Sequence, residues 1–397
     1  MAATRSNQDI AKLMEAVRPN IVISLDIGTN SFRVLLLDGI SKNFSSHAYP
    51  FDDKGPVYKG EQFGYYASES VSLKYGFYIL ANAADKFVDQ YPMLQKLIQA
   101  DSPAFRQKLR VGTLQLLKEV HAWIFQGSRK DWVIDKLVIN IPVQWGSEFQ
   151  AVALDLIGEA FKWDQSLARK TIAFHKDADS LMQYLMTTPR YLNPVKVAGA
   201  DQVWLVMDYG GHNLSASLWW VRHNKQVPPM FFRLEKPFSA GGGTEHVLHY
   251  ILEACAVKCL NQNPGQGRPM CPGISEQVRE GFSDPRVRGM WGPALEGAKD
   301  NCFAFMTPLW EEQNCITCTF DQGEITPIWD KAHKHAFELV DNLLKNLRKR
   351  TAETDHPKID PKPVIFIAGG STKNKPVKHK LAAMVKEANL PDPIFLD

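Results

Sequence analysis

Apolar and polar positions alternate in two distinct rhythms along this chain. The stretch Ile21 to Asp38, IVISLDIGTNSFRVLLLD, holds one apolar run that ends at Asp26, passes Gly28 and Thr29, and resumes at Phe32. This predicts two strands joined by a tight turn. The same device returns at Val203 to Asp208 (VWLVMD), followed by Gly210 and Gly211 and a returning run from Leu214 to Val221. Helical spacing takes over at Phe105, Leu109, Leu116, Val120 and Trp123, and again over Trp329 to Lys349 with Ala332, Ala336, Leu339, Leu343 and Leu347 on one face.

Between the two hairpins the rhythms interleave. Val71 to Tyr91 reads as strand-like and turns helical around Ala81, with Lys74 near the transition. Lys136 to Ile141 (KLVINI) predicts a buried strand stopped by Pro142, and Ser147 an N-cap for a helix to about Lys162. A short strand over Thr171 to Phe174 and a helix over Asp177 to Met186 follow. Near the end, Pro363 to Ala368 (PVIFIA) predicts a strand. Gly369, Gly370 and Ser371 then turn into a helix over Pro376 to Ala388. Strands alternating with helices define an α/β protein.

The turns bring in candidate chemistry. Gly28 lets a polyphosphate approach the backbone, Thr29 and Asn30 offer polar groups, and Asp26 would hold a hydrated Mg²⁺. The same residues equally serve an ordinary hairpin. Two matched strand-Asp-Gly turns suggest two similar lobes, residues 1–200 and 201–397, facing one ligand. In Ser239 to Glu245 (SAGGGTE), Gly241, Gly242 and Gly243 precede a helix over His246 to Cys259; this is either an anion site or a flexible turn with Thr244 as N-cap. A helical reading of Trp291 to Phe303 puts Glu296 and Lys299 one turn apart, which by itself is a surface ion pair.

Composition narrows the classes. The 397 residues carry 46 basic and 43 acidic side chains, a net charge of +3, which gives no general cationic surface for nucleic acid. The densest basic patch, Lys345 to Arg350, suits a helix C-terminus. Six cysteines do not make a disulfide framework. Cys315 and Cys318 fall on opposite faces of a predicted strand, with no second pair at zinc-ligand spacing. No apolar signal core or membrane-length run is present, so a cytoplasmic protein with no membrane partner is expected.

The order of these motifs resembles the actin, sugar-kinase and heat-shock ATPase superfamily. The closest likeness is to the ATPase domain of seventy-kilodalton heat-shock chaperones of the divergent fungal type. LDIGTNSFRVLL resembles the first phosphate loop, VWLVMDYGG the second, SAGGGTE the glycine turn of lobe two, LEGAKD the adenosine-contacting helix and FIAGGSTKNKPVKHKL the final nucleotide turn. The resemblance spans about Ile21 to Leu390. It implies an actin-like fold of two ribonuclease-H-like lobes around a cleft, with ATP or ADP and Mg²⁺ as cofactors. Asp26 and Asp208 would hold the metal through water. Gly28, Thr29, Asn30, Gly210, Gly211 and His212 would line the phosphates, with Lys74 as the catalytic lysine and Lys86 its rival. Glu296 and Lys299 would meet the ribose and adenine, and Gly369, Gly370 and Ser371 the base.

The sequence also departs from the family pattern. A glycine, a threonine and an aspartate of the second loop are replaced by His212, Asn213 and Ser215, a glutamate by His175, and the adenine-stacking arginine by Asp300. No peptide-binding domain is expected in these residues. The resemblance therefore implies a nucleotide-binding protein with weak or absent ATPase activity, with protein partners open. A degenerate cleft reassigned to scaffolding or to a small apolar molecule is the alternative, to which Trp204, Trp219, Trp220 and Trp291 would contribute. Exopolyphosphatase or sugar-kinase-like phosphotransfer, suggested by DIGTNSFR, ranks third.

Overall fold

The computed structural model describes residues 20–27, 31–36, 39–45, 47–48, 51–52, 55–56, 71–191, 201–222, 229–262, 303–308, 315–353 and 363–396. Three strands open the chain, β1 (Asn20–Ile27), β2 (Ser31–Leu36) and β3 (Ser41–Ser45). Helices α1 (Leu73–Leu80), α2 (Pro92–Ala100) and α3 (Pro103–Ile124) follow, then β4 (Val133–Ile141), α4 (Ser147–Phe161), α5 (Gln165–Thr171), β5 (Ile172–Lys176) and α6 (Asp177–Thr187). The first mixed sheet runs β3-β2-β1-β4-β5, antiparallel among its first three strands and parallel from β1 onward.

The second half repeats this plan. Strands β6 (Gln202–Tyr209), β7 (Asn213–Arg222) and β8 (Met230–Arg233) form an antiparallel set, and β12 (Val364–Ala368) and β13 (Ile394–Phe395) extend it in parallel, in the order β8-β7-β6-β12-β13. Strand β9 (Phe238–Gly241) also pairs with β7. Helix α7 (Thr244–Gln262), the hairpin β10 (Phe303–Pro308) and β11 (Cys315–Phe320), α8 (Gln322–Glu353) and α9 (Lys375–Glu387) are the other long elements among the described residues. The two sheets thus share one strand order and one set of strand directions.

Three apolar clusters hold these layers. One packs the first sheet against α1 to α5, and a second packs the second sheet against α7, α8 and α9. The third joins the halves. Met182 and Leu185 of α6 bury against Trp204, Val206 and Phe366 of the second sheet. Burial of each such side chain contributes about 1.5–3 kcal/mol, so α6 fastens the two halves firmly.

Some local expectations shift. The helix expected from about Ala81 instead begins at Leu73 and ends at Leu80. The alternation of Leu73, Tyr75 and Phe77 suggests a strand, but Leu73 to Ile79 are buried all round, so no amphipathic stripe marks the helix. Ser147 is the first helical residue rather than the cap, because Gly146 takes the cap position. Phe303 opens a strand, and Trp291 to Cys302 lie outside the described residues. Among the described residues, no helix is long and apolar enough to cross a membrane.

Candidate functional site

The first and sixth strands each carry an aspartate near their C-terminal end, and chain geometry aims both at one region. Asp26 and Asp208 occupy equivalent places in the two sheets, each paired across a hairpin, with Arg33 and Ser215 respectively. A third aspartate arrives by the same route. Strand β5 ends at Lys176, so Asp177 is projected from its tip at the start of α6. Lys74 enters from α1, only 8% exposed, with its Nζ 3.5 Å from Asn213 Oδ1 of the other half.

These four charges act on one another. Burial pushes the Asp177 carboxyl up to about 7, the Lys74 ammonium pulls against that rise, and the charges of Asp208 and Asp26 add to it. Burial likewise raises Asp208, opposed by Lys74 and reinforced by Asp26. A group of carboxylates that cannot all ionise cheaply around one buried ammonium is a place where a cation would bind favourably. Asp26 already has one partner, Arg33 Nη2 at 2.7 Å. Among the described residues, no three His, Cys, Asp or Glu side chains stand close enough to hold a metal directly. The donors that point here are hard carboxylate oxygens, the kind that suits hydrated Mg²⁺.

Three glycine-rich turns converge beside this cluster. Ser371 Oγ donates to Gly210 O at 2.8 Å and lies 3.2 Å from the Thr244 amide, which donates to it. Gly369 has φ +105°, and a Cβ there would lie 2.5 Å from Asp208 Oδ1. Gly243 has φ +138°, and its Cβ would lie 2.5 Å from Gly210 O. Only glycine allows such approaches of backbone to backbone at positive φ.

The amides around Gly241 to Glu245 are consumed within the protein. Gly241 N–H donates to Gln90 Oε1 at 3.1 Å and Gly242 N–H to His212 O at 2.9 Å. Gly243 N–H reaches Ala332 O at 3.4 Å, and Glu245 N–H reaches Gly211 O at 3.0 Å. Thr244 is the first residue of α7 rather than its cap. The turn is a structural joint whose donors already have protein acceptors.

The substituted second loop forms a network of its own. Asn213 accepts from Lys74 and donates through Nδ2 to Ser215 Oγ at 3.0 Å. His212, 4% exposed, sits in an edge-on contact with Tyr75 at 4.4 Å and places Nε2 3.3 Å from Ser72 Oγ. Tyr75 OH in turn lies 3.5 Å from His246 Nε2, and Tyr91 packs edge-on against the same ring. Histidine and tyrosine thus fill the joint between the halves.

The remaining expected residues divide as follows. Lys86 lies at the surface, 3.5 Å from Glu148, and stands apart from the aspartates. His175 pairs with Asn140 of β4 and lines a separate concavity, while Asp177, two residues on, lies among the aspartates. Trp204 packs on Phe366 at 4.8 Å in the third apolar cluster, Trp219 borders the same concavity as His175, and Trp220 packs against Phe232. Gly28, Thr29, Asn30, Trp291, Glu296, Lys299 and Asp300 lie outside the described residues. The signal that would have found Asp177 is its place directly after a strand, the pattern already noted at Asp26 and Asp208. No family model matches the chain, and no curated protein matches it.

Proposed function

We propose that this protein is a nucleotide-binding protein of the actin-like class, built like the ATPase domain of seventy-kilodalton heat-shock chaperones, with weak or absent ATPase activity. The observation that carries the reading is the meeting of Asp26, Asp177, Asp208 and Lys74 where two sheets of identical strand order face each other. In this reading Asp26 and Asp208 hold Mg²⁺ through water, and the ion neutralises phosphate oxygens. Lys74 adds a fixed positive charge, and Asp177 stands nearest the role of orienting a water. Gly369 to Ser371 flank the nucleotide base. A protein of this kind needs no membrane or nucleic-acid partner.

Weak turnover follows from the second loop. His212 is packed into the joint between the halves, and the Lys74 ammonium reaches Asn213. Turnover depends on preorganised charge at the transferred phosphate, and a diverted donor lowers the rate steeply. The same packing supports a second reading, a closed pseudo-ATPase that serves as a scaffold for protein partners or takes another small molecule.

Thermal unfolding with and without Mg²⁺-ATP, Mg²⁺-ADP and polyphosphate separates these. A ligand at about a hundred times its Kd adds roughly 2.7 kcal/mol to the folded state. The proposal expects a Mg²⁺-dependent shift with adenine nucleotides and little phosphate release. A shift with none of the three moves the function to the scaffold reading, and a shift with polyphosphate alone moves it to polyphosphate chemistry.

A further inference from the structure

A second concavity, of about 320 Å³, lies between β5 and α6 of the first half and β7 and β8 of the second. It contains none of the residues of the aspartate cluster. Its volume falls at the lower end of the range for small-molecule sites, roughly 300–1,000 Å³. Met186 and Phe231, both half-buried, give it an apolar wall, and methionine side chains adapt to the shape of a ligand.

One polar feature is built into this wall. Arg233 stacks on Trp219, its guanidinium carbon 5.1 Å from the ring centroid, and Asp179 of α6 ion-pairs with its Nη2. Trp219 is itself fixed, its Nε1 donating to Ser217 Oγ at 2.8 Å. A guanidinium carries five N–H donors in one plane. Asp179 and Trp219 set the orientation of that plane, which leaves further donors for a second carboxylate. The other cation of the rim, Lys176, turns its Nζ to the carbonyls of Pro142 and Trp145, so it adds positive field without occupying the space.

We propose that this concavity binds a small amphipathic carboxylate, its carbon body against Met186 and Phe231 and its carboxylate on Arg233. A bare phosphate or sulfate would leave the apolar wall unfilled, and a neutral hydrocarbon would make no use of the guanidinium donors that Asp179 does not take. Because the walls come from both halves of the chain, the ligand would bridge them at the place where α6 crosses over.

Isothermal titration calorimetry on the full chain tests this with two probes of one shape, 1-naphthylacetate and the neutral 1-naphthylacetamide. Saturable one-to-one binding is expected, with the acid at least about tenfold tighter, the worth of a hydrogen bond to a charged group. Arg233→Met should erase that preference while the amide still binds. Met186→Trp should fill the space and weaken both probes at least about tenfold, the loss expected when buried apolar contact is denied. Arg233 is 39% exposed on the last strand of its sheet, so Arg233→Lys serves as a foldable second variant that keeps the charge and loses the fork. Asp26→Asn should leave both affinities unchanged, which separates this site from the nucleotide reading. The proposal fails if neither probe saturates by millimolar concentration, if acid and amide bind alike, if Arg233→Met keeps the preference, or if Met186→Trp binds normally.

Discussion

Arg33 and Asp26 face each other across the first hairpin, in register on β1 and β2, with Nη2 and Oδ2 2.7 Å apart. The pair leaves Asp26 31% exposed, so the carboxylate can serve a second partner. A half-exposed pair contributes at most about 1 kcal/mol. Arg33→Ala is therefore expected to change urea-unfolding stability by less than about 1 kcal/mol. Asp26→Asn should abolish the Mg²⁺-dependent part of any nucleotide-induced thermal shift. An undiminished shift in Asp26→Asn would count directly against the proposed metal role.

Gly369 and Gly370 are neighbours with opposite tolerance. A Cβ on Gly369 would press on Asp208 Oδ1 and Tyr209 C, each at 2.5 Å, at a φ that L side chains rarely adopt; a Cβ on Gly370 would meet nothing within 4 Å. Gly369→Ala should cost about 2 kcal/mol or more in equilibrium unfolding, and Gly370→Ala about 0.5 kcal/mol or less. Equal costs would mean that the turn does not press on Asp208.

Two buried histidines predict an acid limb of stability. Burial drives His246 and His333 down to about 3, so both are neutral in the folded protein. In the unfolded chain they bind a proton near the ordinary value of about 6.5. Their folded pKa values are depressed, so the unfolded state binds more protons between these limits. Stability from these residues is complete above about pH 6.5 and declines as pH falls toward 3. His333 also places Nδ1 on the Tyr209 hydroxyl and stacks on Phe337, so His333→Phe tests the proton alone poorly. His246→Gln should flatten the decline between pH 6 and 4 in chemical-denaturation midpoints; an unchanged slope would sink the assignment.

Asp177 acts in the opposite sense. Its folded pKa, about 7, lies above its ordinary 3.8, so the folded state holds a proton that the unfolded state releases. Its contribution is favourable at low pH and is lost as pH rises from about 4 to 7. Asp177→Asn is expected to stabilise the ligand-free protein at pH 8 relative to wild type and to make little difference at pH 4. Lys74→Met should do the reverse at pH 8, because it removes the cation that lets these aspartates ionise. Thermal midpoints of both variants at the two pH values decide the matter.

The sequence carried the duplicated hairpins clearly. Apolar runs of strand length that end in an aspartate and a glycine are local signals, and Asn20–Ile27 and Gln202–Tyr209 formed where the pattern placed strands. Lys74 lies inside a helix rather than at a strand-to-helix transition, since a helix buried on every side has no polar stripe to reveal its period. In the sequence Asp177 marks only a helix start. Its role in the cluster depends on Lys74 and Asp208, both remote in sequence. The fate of the Gly241 to Glu245 amides was equally hidden. Their acceptors, Gln90, Gly211, His212, Ala332 and Ser371, come from four other parts of the chain.

Three polar contacts that span the halves are long, Lys74 to Asn213 at 3.5 Å, Tyr75 to His246 at 3.5 Å and Ser72 to His212 at 3.3 Å, whereas Gln90 to Gly241 at 3.1 Å is of ordinary length. Contacts at the long end of the hydrogen-bond range hold more weakly than those near the usual length of about 2.9 Å. The three glycine turns, by contrast, are laced into one block by Ser371. The two halves thus meet through two unlike seams: an apolar one along α6, and one near the aspartates in which polar contacts are interleaved with the rings of Tyr75, Tyr91, His212 and His246.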